Sequence, residues 1–91
     1  MDEQVKIFVN LEKETATVQI IRRYKLFDNP AKRFMIEGGA SGFSYIEKRD
    51  DGYHSVIYLR ERDYFGDRRL TPEEAKETIR EVLRGRYEQD C

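Results

Sequence analysis

Ninety-one residues, with 38% apolar side chains falling in periodic runs, describe one folded domain with a modest core and exclude a disordered chain. Charged residues are also 38%, well above the ~25% of an ordinary domain, so the surface is densely charged. Seventeen basic residues against 18 acidic ones leave a formal charge of −1, which predicts no general affinity for nucleic acid or anionic lipid.

The charge is unevenly spread. Residues 15–33 carry Arg22, Arg23, Lys25, Lys32 and Arg33 against Asp28 alone, while residues 1–14 and the segment from residue 70 onward are acidic. The lone cysteine, Cys91, excludes an internal disulfide framework. Met1 followed by Asp2 and Glu3 is not a secretory leader, and no apolar run approaches 18 residues, so the expected setting is soluble and cytoplasmic with no membrane partner.

Residues 4–11 alternate, with Val5, Ile7, Val9 and Leu11 on one side and Lys6, Phe8 and Asn10 on the other, the period-2 signature of a half-buried strand. A longer strand is expected over 15–27, with Ala16, Val18, Ile20, Tyr24 and Leu26 on one side. Closing the hairpin over Lys13-Glu14 sets Leu11 opposite Ala16, Val9 opposite Val18 and Ile7 opposite Ile20, with a four-residue loop in the same register as the alternative. Asp28-Asn29-Pro30 stops the strand, because Asn before Pro is driven out of the helical region. Residues 32–37 then offer a short strand.

Gly38-Gly39-Ala40-Ser41-Gly42 reads as a flexible connection or bulged bend. It lacks the Gly-Lys-Ser/Thr ending of a phosphate loop, and a strand follows instead of a helix. Asp51-Gly52 between two β-prone runs predicts a second hairpin whose far strand reaches Arg62 or Tyr64, with Gly66-Asp67 as the break. One face of that hairpin collects Ile46, Ile57 and Leu59; the other collects Phe43, Tyr45, Tyr58 and Arg60, with Arg49 and His54 nearer the turn.

Thr71-Pro72-Glu73-Glu74 opens a helix, with Thr71 as N-cap, Pro72 at the first helical position and Glu74 completing a capping box. Ala75, Ile79, Val82, Leu83 and Tyr87 form its single apolar stripe, Gly85 marks its expected weakening, and residues 88–91 its frayed tail. The expected architecture is α+β: a mostly antiparallel sheet of four to five strands built from two hairpins, with one C-terminal helix packed on its aliphatic face.

The other sheet face would then carry Phe8, Ile21, Phe43, Tyr45 and Tyr58 with Arg23 and Arg60. Tyr45 opposite Tyr58, and Phe43 beside Arg60, are the residue types that anchor protein interfaces. The structural alternative is a set of aromatic pairs that merely stabilise the sheet. We read Phe43, Tyr45, Tyr58, Arg60 and Arg23 as the binding set of a small non-catalytic interaction domain, a regulator or inhibitor of a larger protein. Single-stranded RNA or DNA stacked on the same face is the second reading, and a second copy of the chain is a further candidate partner. A small enzyme using His54 with Glu47 and Tyr45 is the third; no other metal-ligating residue lies at suitable spacing, and no cofactor motif is present.

Overall fold

The computed structural model describes residues 5–88. In chain order these form β1 (Ile7–Asn10), β2 (Thr15–Val18), β3 (Arg22–Lys25), β4 (Arg33–Gly39), β5 (Gly42–Arg49), β6 (Gly52–Leu59), β7 (Tyr64–Leu70) and α1 (Pro72–Glu88). The fold is α+β with a single C-terminal helix, as the pattern predicts. The strands divide between two antiparallel sheets, however: a four-stranded sheet β4–β7 and a separate three-stranded sheet β1–β3, each in sequential order.

The division arises at residues 19–21, where the expected long strand folds back on itself. The β1–β2 ladder ends with Ile7 opposite Val18 and a bond from Gln19 N to Lys6 O. Past this bond the pairing with β1 stops, and the chain reverses and pairs with the other edge of β2, Ala16 opposite Tyr24. Gln19 and Ile20 carry the reversal at φ 53° and 66°, a left-handed conformation that a β-branched residue adopts at a cost of about 1–2 kcal/mol. Ile20 and Ile21 project from this tip, each more than 80% exposed.

Both sequence-derived registers are displaced by two residues. The β1–β2 loop spans four residues, which sets Ile7 opposite Val18 and Val9 opposite Ala16. In the β5–β6 hairpin Arg49 pairs with Gly52, so Asp50-Asp51 form the apex and the positive φ falls on Gly52 at the turn's exit. A two-residue slip leaves every side chain on its own face, so Ile7, Val9, Ala16, Val18 and Ile46 are buried as expected, whereas Ile20 at the reversal and Ile57 and Leu59 at the far end of the second sheet are exposed.

Gly66-Asp67 is no break. After a 3₁₀ turn at Arg60–Arg62 and a left-handed Asp63, β7 pairs with β6 along its whole length, Tyr58 opposite Phe65 and Val56 opposite Asp67. The Gly38–Gly42 run is likewise not a flexible connection. It closes a tight hairpin with Gly39 opposite Gly42, and the bulge lies earlier, between Met35 and Glu37. A side chain at Gly42 would run into the Tyr58 carbonyl oxygen, 2.2 Å from where its Cβ would stand.

The helix begins with the expected capping box: Thr71 Oγ1 accepts from Glu74 N at 3.1 Å and Glu74 Oε1 accepts from Thr71 N at 2.9 Å. It continues unbroken past Gly85 to Glu88; the rest of the expected tail lies outside the described residues. Ala75, Ile79 and Leu83 are buried against Ile7, Val9 and Val18 of the first sheet and Phe34, Ile46 and Leu70 of the second. The two outer margins of the second sheet differ. Strand β4 is bulged and its Met35 carbonyl accepts a bond from Arg86 of the helix, whereas β7 is regular and exposed along all but its last residues. Ile20→Gly is expected to raise stability by about 1 kcal/mol by relieving the left-handed strain, read as a higher denaturation midpoint at unchanged m-value.

Candidate functional site

The face of β4–β7 that looks away from the helix holds most of the predicted binding residues. Alternation along β5 and β6 places Phe43, Tyr45, Glu47 and Arg49 beside Tyr58, Val56, His54 and Gly52. Met35 and Arg33 join from β4, and Phe65, Asp67 and Arg69 from β7. The face divides into an aromatic end and an ionic end.

At the aromatic end Phe43 stacks on both Tyr58 (5.3 Å between centroids) and Tyr45 (5.8 Å). The expected Tyr45–Tyr58 pair is therefore replaced by a three-ring stack with Phe43 at its centre, since the slipped register sets Tyr45 opposite Val56. Tyr45 is only 7% exposed, closed over by Phe43 and by the Arg33 guanidinium 4.5 Å from its ring centroid. It supports the face and is not a contact residue. Phe65 (63% exposed), Met35 and Phe43 supply the accessible apolar surface.

Two predicted residues lie elsewhere. Arg60 does not continue β6 beside Phe43; it begins the 3₁₀ turn, its N donating to Ser41 O at 2.9 Å, and its exposed side chain stands at the rim. Arg23 belongs to the first sheet, opposite Thr17, with Phe8 and Ile21 also on that sheet or its tip. Phe65 and Met35 were absent from the predicted set. The alternation Phe65, Asp67, Arg69 carried the signal, masked by reading Gly66 as a terminator.

The ionic end is a continuous chain of bonded charges. Arg33 donates to Glu47 at 2.8 Å, Arg49 donates to the other Glu47 oxygen and to Asp67 at 2.9 Å, and His54 stands between Asp67 and Asp51, with Nδ1 and Nε2 each 2.9 Å from a carboxylate oxygen. Glu47 is the direct cross-strand partner of His54. The bond to Asp67, then that to Asp51, holds the His54 pKa above its ordinary 6.5 against opposition from the Arg49 charge. His54 in turn holds Asp67 and Asp51 below the usual carboxylate range, while Arg33 and then Arg49 lower Glu47.

On the opposite, helix-facing side, the helix stops short of the same end of the sheet. Ile57 and Leu59 floor a half-open groove of about 620 Å³ there, with Phe43, Gly42, Glu61 and Arg62 along its margins. Among the described residues no group of three or more His, Cys, Asp or Glu is placed to hold a metal ion, and no helix is long and apolar enough to cross a membrane. No family model matches the chain, and no curated protein or solved structure matches it either.

The ionic chain predicts a definite pH profile. His54, its pKa raised in the fold, contributes stability that is complete below about 6.5 and lost as pH rises through the raised value. Asp51, Asp67 and Glu47, lowered in the fold, contribute stability that is present above about 4.5 and lost as pH falls through their lowered values. The urea midpoint should therefore plateau between about pH 4.5 and 6.5 and decline towards pH 9. His54→Gln should flatten the alkaline limb and also weaken the acid limb, since the bond to His54 is the main cause lowering Asp67 and Asp51; the share from Glu47, lowered by Arg33 and Arg49, should persist.

Proposed function

We propose that this protein is a non-catalytic interaction domain, acting in the cytoplasm as a regulator or inhibitor, that docks a larger protein against the bare end of its second sheet. The observation that carries this reading is that one sheet end leaves apolar side chains uncovered on both faces. Met35, Phe43 and Phe65 stand on one side, and Ile57, Leu59 and Tyr64 on the other. Monomeric proteins rarely leave contiguous apolar surface of this kind uncovered unless it binds something. Rigid aromatics in a stacked row, ringed by charged residues, have the anatomy of an interface core and rim.

The other readings find less support on this face. Arg33 and Arg49 are neutralised by Glu47 and Asp67, which removes cations that a nucleic-acid strand would need. Both ring nitrogens of His54 are taken up by carboxylates, so the imidazole is engaged as a structural tie. A second copy of this chain remains a candidate occupant of the same surface.

Phe43→Ser combined with Phe65→Ser should weaken capture of a partner isolated by crosslinking from the native source at least ~30-fold, the consequence of losing ~2 kcal/mol of hot-spot contact. Phe65 is well exposed, whereas Phe43 also covers Tyr45, so Phe65→Ser alone, which should move the thermal midpoint by only a few degrees and still weaken capture, separates binding from folding. Light scattering on Cys91→Ser reports self-association without a disulfide contribution. Full retention of the partner by the double variant would remove this reading.

A further inference from the structure

We propose that the outer face of the first sheet binds single-stranded nucleic acid, with Phe8 as a base-stacking platform and Lys6, Lys13, Arg23 and Lys25 as phosphate contacts. This surface is separate from the sheet end assigned above to a protein partner. The register aligns Phe8, Thr17 and Arg23 in one row across the three strands, and Asn10, Thr15 and Lys25 in the next. Lys6 precedes Phe8 by two residues, on the same side, at the point where its carbonyl accepts from Gln19. Phe8 is 59% exposed, and a shallow groove of about 310 Å³ runs between its ring, Asn10, Lys13, Thr15, Thr17 and Arg23.

Charge decides what this face can accept. Arg33, Lys48, Arg49, Arg68, Arg80 and Arg84 each pair with a carboxylate. Among the described residues Lys6, Lys13, Arg23 and Lys25 have no such partner, and all four are exposed. The outward positions of β1, β2 and β3 are Phe8, Asn10, Thr15, Thr17, Arg23 and Lys25, without a carboxylate. Glu12 stands beside Lys13 in the turn, and Glu14 is committed to Lys32 and Lys48. The chain's net charge of −1 thus conceals a locally cationic face whose complement is an anion.

The aromatic ring selects among anions. A phenyl face flanked by hydroxyl and amide side chains offers a flat π surface with hydrogen-bonding neighbours, suited to a base and its sugar-phosphate. An acidic peptide would satisfy the cations but leave the Phe8 ring without a stacking partner. Strands ~4.8 Å apart with outward residues every ~6.7 Å spread the four cations around the ring, so one strand can stack and be neutralised together.

The test is fluorescence anisotropy with fluorescein-labelled dT12 against the full chain. Binding is expected at 50 mM KCl, and four phosphate contacts at ~0.7 each predict a log–log salt slope near −2.8, about a fifty-fold loss of affinity by 200 mM. Phe8→Ala should raise Kd about tenfold. Arg23→Glu with Lys25→Glu should abolish binding, and Arg23→Gln with Lys25→Gln, the milder pair should the reversal disturb the strand, should roughly halve the salt slope. Phe43→Ser with Phe65→Ser should leave Kd unchanged, which separates this assignment from the protein-docking one. A flat titration at 50 mM KCl, or a Kd indifferent to both Phe8 and the charge variants, would overturn the proposal. Equal affinity for labelled hexa-aspartate, insensitive to Phe8→Ala, would overturn it in favour of an acidic protein.

Discussion

One amphipathic helix has to close the apolar sides of two sheets, and the rest of the molecule follows from that shortage of cover. Ala75, Ile79 and Leu83 are essentially inaccessible, wedged against aliphatic residues of both sheets, and full burial of a side chain such as Ile79 or Leu83 contributes about 1.5–3 kcal/mol. A 17-residue helix is ~25 Å long, and an eight-residue strand reaches ~27 Å. Lying across both sheets, the helix covers Phe34, Ile46 and Leu70 near one end of the larger one and leaves Ile57 and Leu59 at the other end bare. The bare end is a geometric remainder of the core.

The opposite face of that sheet stabilises itself without a covering layer. Long side chains fold down over short ones: Arg33 over Tyr45, with Glu47, Arg49, Asp67 and His54 locked together beside them. Val56 and Tyr45 are buried there, Tyr45 beneath Phe43 and the Arg33 guanidinium. Exposed ion pairs contribute little singly, but here Glu47 and Asp67 each serve two donors, and through His54 and Asp51 the series ties the β5–β6 turn to β7. The ordered half of the face thus leaves the aromatic half as the accessible one.

Much of this architecture was legible in the chain. Facial identity came through because period-2 alternation is invariant to a two-residue slip, so Ile46 was assigned to the core and Phe43 to the outer face although the Asp51-Gly52 turn was misplaced. The Thr71–Glu74 capping box was legible because its bonds are local. The fold-back at Gln19-Ile20 was not: it uses a β-branched residue in a conformation where glycine or asparagine is the usual signal. Strand β7 was hidden by Gly66, whose space is taken by the Tyr64 side chain folded across it. The burial of Tyr45 depends on an arginine 12 positions upstream and cannot be read from alternation.

The unlike margins of the larger sheet carry a consequence for assembly. Its β4 border is interrupted by a bulge and engaged by Arg86, whereas β7 offers seven regularly paired residues with no proline or bulge. Strand addition is therefore directional. Two molecules joined through their β7 borders would present only the obstructed β4 borders of the joined sheet outward, so growth of that sheet terminates at a closed pair.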